Sequence, residues 1–186
     1  MKITKLGDVV PQRGNKVSRA ISRLILLAFG WQIVGHFPNI PKFVLIGAPH
    51  TSTWDFPLTM TTLFALGLRV SWMGKHTFVN GRFGRIWRWM GGVPIDRRAA
   101  HGVVEQMVDE FQRRRELILG IAPEGTRDKV ARWKTGFYHI AHEAGVPIVP
   151  FIMDYGRKVV KVCEPFKTTG NIELDLPKIQ AVYEGH

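Results

Sequence analysis

Phe43-Val44-Leu45-Ile46-Gly47-Ala48-Pro49-His50-Thr51-Ser52-Thr53-Trp54-Asp55 is the stretch from which the rest of this chain can be read. Its first half, Phe43–Ala48, is an uninterrupted apolar run of strand length, the pattern of a buried strand. The second half is polar, and Ser52, Thr53 and Asp55 are all good N-cap types for a helix predicted over Phe56–Leu66. An imidazole and a carboxylate five positions apart at the mouth of a strand can form a general-base pair. His50 would take a proton from an attacking group, while Asp55 fixes the tautomer and stabilises the imidazolium. The other reading makes Asp55 a helix cap and His50 an ordinary loop histidine. One such pair is a weak motif and needs companions.

Outward from this stretch, short β-rich runs alternate with helical ones. Further strands are predicted at Val70–Gly74, Val93–Ile95, Leu117–Ala122, Ile148–Met153, Lys158–Val162 and Ile172–Leu176. Helices are predicted at Gly84–Met90, Gly102–Arg114 and Gly136–Ala144, with a short closing helix from Pro177 to Tyr183. No internal repeat, low-complexity segment or linker interrupts the series. The alternation predicts an α/β single-domain sandwich: a central, largely parallel sheet flanked by helices, mixed late where two strands follow without a helix. In such sheets the loops at strand carboxyl ends collect ligand-binding groups.

Two more predicted strands end in charge. Leu117–Ala122 empties into Pro123-Glu124-Gly125-Thr126-Arg127. Gly125 lets the backbone come close to a phosphate, Thr126 donates, and Arg127 forks onto two oxygens. Glu124 either positions Arg127 or accepts a substrate hydroxyl; a plain polar turn is the alternative for the whole segment. Gly91-Gly92-Val93-Pro94-Ile95-Asp96-Arg97-Arg98 likewise offers arginines for a phosphate, with Asp96 holding one of them, or else a solvated strand end. Gly145-Val146-Pro147-Ile148-Val149-Pro150 has no ionisable group and can only shape a wall.

Composition narrows the class. With 186 residues and 45% hydrophobic content, the chain suits one domain with its own core. A single cysteine, Cys163, rules out an intrachain disulfide and cysteine-rich metal sites, and reads as a packing residue. His76, His101, His139 and His142 show no metal-ligand spacing, so no metal is expected. A net charge of +11 implies an anionic partner: nucleic acid, phosphorylated small molecules or an acidic membrane surface. Basic residues repeatedly sit beside large apolar ones, as in Arg82-Phe83-Gly84-Arg85-Ile86-Trp87-Arg88-Trp89-Met90, a pattern that suits an anionic lipid surface or stacked RNA bases.

At the N-terminus, Lys2, Lys5, Arg13, Lys16, Arg19 and Arg23 lead into the apolar run Leu24–Val34. That run is about 11 residues, against the roughly 20 needed to span a bilayer. No small-x-small cleavage site follows it. Ser18 to Val34 is predicted as an amphipathic helix lying in the membrane interface, with Arg19 and Arg23 at the headgroups and Trp31 at the boundary; a core-packing helix is the alternative. Residues 1–38 are thus expected to form a membrane-interface region and 39–186 the catalytic domain.

His50…Asp55, the Gly92–Arg97 run, Glu124-Gly125-Thr126-Arg127 and Val146-Pro147-Ile148-Val149-Pro150 follow the order and approximate spacing of four signature blocks. Over roughly residues 40–155 the chain resembles the glycerophospholipid acyltransferase superfamily, best known for the 1-acylglycerol-3-phosphate (lysophosphatidate) acyltransferases. The resemblance implies transfer of a fatty acyl group from acyl-CoA or acyl carrier protein to the hydroxyl of a lysophospholipid-type acceptor. It implies His50 as base, Asp55 as its orienter and no acyl-enzyme, and it makes Arg97, Thr126 and Arg127 the acceptor-phosphate clamp, with Glu124 and Gly125 in the same substrate-binding block. No cofactor is implied beyond the acyl thioester co-substrate. Membrane lipids and an anionic surface are the expected partners, nucleic acid is not, and the expected location is peripheral, on the cytoplasmic face of a membrane. Two positions depart from the pattern: Pro49 stands where many members have Asn, and Asp128 where Ser is common. Acidic Asp128 beside a phosphate site leaves the acceptor open. Thioester hydrolysis, or a non-catalytic basic nucleic-acid- or lipid-binding domain, are the alternative functions.

Overall fold

The apolar run at the head of the opening stretch becomes the centre of the molecule. The computed structural model describes residues 6–48, 54–96, 102–124 and 133–185. In chain order its elements are α1 (Lys16–Ala28), β1 (Gln32–Val34), β2 (Lys42–Ala48), α2 (Asp55–Leu66), β3 (Ser71–Lys75), α3 (His76–Val79), α4 (Gly84–Trp89) and β4 (Gly92–Ile95). They continue with α5 (Val103–Arg113), β5 (Leu117–Ile121), α6 (Gly136–Glu143), β6 (Ile148–Asp154), β7 (Val159–Val162) and α7 (Ile172–Ala181).

The strands form one seven-stranded sheet in the order β1-β7-β6-β2-β5-β3-β4. β6, β2, β5, β3 and β4 are parallel to their neighbours. β7 runs antiparallel to β6 and carries β1 parallel beside it. This is the expected α/β sandwich, parallel through its centre and reversed at one edge. β2 lies between β5 and β6, with Leu45 opposite Gly120 on one side and Val149 on the other.

Both faces of β2 are covered, which is why its sequence is continuously apolar. Phe43 and Leu45 point into the core beneath α1 and α2, packing with Leu26, Leu63, Leu66 and Phe151. Val44 and Ile46 point the other way, toward Met107, Phe111, Phe137, Tyr138, Ile140 and Ile179 on α5, α6 and α7. Phe43, Val44 and Ile46 are completely buried.

Three local expectations are corrected. The predicted strand Ile172–Leu176 is the start of α7. Asn171 caps it by accepting from the N–H groups of Glu173 and Leu174, and the buried residues Asp175 and Ile179 lie four apart, at helical spacing. The predicted helix to Val34 stops at Ala28, because Gly30 (φ +76°) takes the left-handed turn that ends a helix. Gln32–Val34 then becomes edge strand β1. Residues His76–Val79 form the short helix α3, which no periodicity announced.

The arginines of α1 also sit differently from expectation. Arg23 Nε donates to the Ala65 carbonyl (3.0 Å) and Arg19 Nη2 to Gln12 Oε1 (3.3 Å). Arg19 lies over Gly67, which closes α2 at φ +75°. Cations at the carboxyl end of α2 suit the negative pole of its dipole. Trp31, expected at a membrane boundary, is only 8% exposed.

Candidate active site

Because β2, β5 and β6 run in parallel and in register, their carboxyl ends share one edge: Ile46 is level with Ile121, and Ala48 with Ile152. β3 and β4 end at the same edge, Lys75 opposite Ile95. The segments carrying the predicted site residues follow the ends of β2, β4 and β5. Of those residues, Asp55 and Glu124 are described. His50, Arg97, Gly125, Thr126 and Arg127 lie outside the described residues, as do Pro49 and Asp128.

Asp55 is the first residue of α2 and is completely buried. It is not the cap: Trp54 holds that position, without a side-chain capping bond. A carboxylate in the first helical turn is favoured by the positive end of the helix dipole. The Asp55 carboxylate accepts a hydrogen bond from the hydroxyl of Tyr155, at the end of β6. Burial first, then the bond to Asp55 and its charge, push the Tyr155 hydroxyl well above its ordinary pKa, so it stays a neutral donor. The Tyr155 ring meets Trp31 edge-on, with centroids 5.3 Å apart at 88°.

Tyr155 and Trp31 form one wall of an apolar groove of about 440 Å³, closed by Ile25 and Leu26 of α1 with its cap Phe29, and by Pro57 and Leu58 of α2 with its cap Trp54. Among the described residues Lys158 is its one basic lining residue. An aliphatic chain fits such a space better than any polar substrate, since few groups in its lining could hydrogen-bond a ligand. Tyr155, which lines the groove, is hydrogen-bonded through its hydroxyl to Asp55.

On the other side of β2, Glu124 is half-buried where the chain leaves β5. The base of its loop is closed by the Lys134 N–H, which donates to the Pro123 carbonyl (2.8 Å). Tyr183 packs edge-on against Trp133 (5.2 Å) and donates to the Ile46 carbonyl of β2 (2.7 Å). Burial above all, with the Glu124 charge contributing, holds the Tyr183 hydroxyl well above its ordinary pKa. At the end of β4, the Gln106 side chain of α5 grips the backbone of Asp96 twice: its amide donates to the carbonyl (2.8 Å) and its oxygen accepts from the N–H (3.1 Å). The exit to Arg97 therefore leaves from a fixed point.

The acyltransferase family model matches residues 34–154, well over half of the chain. The chain belongs to the acyltransferase family. The match covers all four acyltransferase blocks and strands β2 to β6. The chain is 39% identical over 74 residues to the 1-acyl-sn-glycerol-3-phosphate acyltransferase of Escherichia coli, covering 37% of this chain and 30% of that protein. It is 26% identical over 183 residues to the enzyme of the same name from Haemophilus influenzae, covering 86% of this chain and 74% of that one. The first of these matches thus spans under a third of its relative. The crystal structure of the 1-acyl-sn-glycerophosphate (LPA) acyltransferase PlsC from Thermotoga maritima superposes with a TM-score of 0.63 at 18% identity, over 91% of this chain and 76% of that one. Its likeness fixes the acyltransferase fold.

Four residues at this edge were not predicted there: Tyr155, Gln106, Tyr183 and Trp31, the last of which was expected at a membrane boundary instead. Two act across long sequence distances, Tyr155 on Asp55 over 100 positions and Tyr183 on Ile46 over 137, whereas Gln106 holds Asp96 from only ten positions away. Only the aromatic type of Tyr155, directly after a buried strand, offered a signal.

Proposed function

We propose that this protein transfers a fatty acyl group from an acyl thioester, acyl-CoA or acyl carrier protein, to the free hydroxyl of a lysophospholipid-type acceptor such as 1-acylglycerol-3-phosphate. The observation that carries this reading is the buried Asp55 carboxylate, hydrogen-bonded to Tyr155 of the apolar groove, on the edge where β2, β4 and β5 end. Family membership and the names of the relatives support the reaction class.

In this mechanism His50, oriented by Asp55, takes the proton of the acceptor hydroxyl as its oxygen attacks the thioester carbonyl. The C–O bond forms, the tetrahedral intermediate collapses with cleavage of the C–S bond, and the imidazolium returns its proton to the departing thiolate. No protein nucleophile is acylated. Arg97, Thr126 and Arg127 bind the acceptor phosphate, with backbone amides near Gly125 for the oxyanion. The acyl chain occupies the groove between α1 and α2.

The acceptor and product are membrane lipids, and α1 supplies the contact. It buries only Ser22 and Leu26, while Val17, Ile21, Leu24, Leu27 and Phe29 are exposed. A helix that turns its large apolar side chains outward is suited to the interfacial layer of a bilayer. Among the described residues no helix is long and apolar enough to cross a membrane. Contact is therefore peripheral in this reading, with residues 1–38 as the interface region.

The deciding assay supplies labelled acyl-CoA or acyl carrier protein with and without lysophosphatidate, and analyses products by mass spectrometry. Acceptor-dependent phosphatidate formation is expected. Acceptor-independent thioester cleavage would instead identify a hydrolase, and no consumption of either donor would sink the assignment.

A further inference from the structure

We propose that Tyr155 is a positioning residue of this site: its hydroxyl fixes the direction in which the Asp55 carboxylate faces His50, and its ring ties that carboxylate to the acyl groove. The proposal rests on the role given to Asp55 and His50 above and adds a residue outside the four family blocks.

Three observations lead to it. First, the hydroxyl donates to Oδ1 of a completely buried carboxylate. An ionised carboxylate has about four acceptor positions, and a donor fixed on one of them restrains its rotation. Second, Tyr155 is held from several sides. It opens the four-residue turn between β6 and β7, where Asp154 Oδ1 accepts from the Arg157 N–H (2.8 Å) and Oδ2 from the Arg157 guanidinium (2.9 Å). Lys158 closes the same turn in the left-handed conformation (φ 52°), and Trp31 buttresses the ring. Third, the same ring lines the apolar groove, so a chain lying there rests on the side chain that holds Asp55.

Asp175 offers a contrast. Tyr138 donates to it (2.8 Å) between α6 and α7, but Tyr138 is buried in the core and is not among the residues that line the apolar groove. That pair joins two helices. Tyr155, 40% exposed and facing the groove, stands where a substrate reaches it. The other charged groups on the turn among the described residues are Asp154, paired with Arg157, and Lys158, which lines the groove.

The test is Tyr155→Phe, which keeps the ring, the groove wall and the Trp31 contact and removes only the hydroxyl. Expected is a fall in kcat of about 10-fold with little change in KM for the acyl donor. One hydrogen bond fewer leaves more negative charge on Asp55, which favours the imidazolium, so the acid limb of the kcat/KM profile moves up by roughly half a pH unit. Tyr155→Leu, which also removes the wall, is expected to raise KM for long-chain donors in addition. Wild-type kcat and an unmoved pH limb in Tyr155→Phe overturn the proposal while leaving acyl transfer intact. A readout without turnover is the NMR titration of the His50 ring in the substrate-free protein. An upward shift in Tyr155→Phe supports the coupling, and identical titrations in the two proteins overturn it even if the wild type transfers no acyl group.

Discussion

The hydroxyl of Tyr155 reaches the buried carboxylate of Asp55 although the two lie 100 positions apart. Strand order brings them together. β6 pairs in parallel with β2, so the turn after β6 and the helix after β2 start from the same edge. The Asp55 carboxylate at that edge is fixed from two directions: by the first turn of its own helix and by a residue that follows the neighbouring strand β6.

Asp55→Asn keeps the size of the side chain and an oxygen for the Tyr155 hydroxyl, but presents the imidazole with an amide that favours the wrong tautomer. A kcat about 10²–10⁴-fold below wild type is expected, with the far-ultraviolet circular dichroism unchanged. Near-normal turnover in a folded variant would remove Asp55 from the mechanism.

Gly67→Ala tests how α1 is anchored to α2. Gly67 adopts φ +75°, and a Cβ there would lie 2.3 Å from Arg19 Nε. Left-handed strain plus displacement of Arg19 should cost about 1–2 kcal/mol, read as a lower urea midpoint with an unchanged slope. A variant as stable as wild type would show that the Arg19 placement contributes nothing.

Acid sensitivity should trace in part to Asp175. Burial acts to raise this carboxyl, but hydrogen bonds from the Thr169 N–H, the Tyr138 hydroxyl and the Thr169 hydroxyl outweigh it and hold it below its ordinary 3.8. A depressed folded-state value contributes stability that is complete above the unfolded value and lost as pH falls through the folded one. Urea melts of wild type should therefore weaken as pH drops below about 4, and those of Asp175→Asn, less stable at neutral pH, should vary less there. Parallel profiles for the two proteins would contradict this.

Leu24, 66% exposed on α1, and Phe29, 67% exposed at its carboxyl-end cap and also bordering the groove, provide the test of membrane contact. Leu24→Asp combined with Phe29→Asp should leave the melting temperature unchanged and weaken sedimentation with anionic vesicles about 10-fold or more. Each large apolar side chain withdrawn from water contributes about 1.5–3 kcal/mol. Undiminished vesicle binding would move the membrane contact elsewhere.

The sheet was legible wherever a strand is buried on both faces. The apolar runs at β2, β5 and β6 stand out, and the glycines and capping residues around them placed most helices to within a residue or two. Ile172, Leu174 and Leu176 alternate as a strand would, yet the capping oxygen of Asn171 and the buried Asp175–Ile179 face make them helical. Leu24–Val34 is one apolar run but two elements, and the break at Gly30 is a single residue. Asp55 was visible from its spacing to His50. Tyr155 was not, because its role depends on strand order, which local pattern does not encode.

The central claim is direct acyl transfer with His50 as base, and His50→Ala tests it most directly. With labelled acyl thioester and 1-acylglycerol-3-phosphate, a folded His50→Ala protein should form phosphatidate about 10²–10⁴-fold more slowly than wild type. Phosphatidate formation at the wild-type rate would contradict the account.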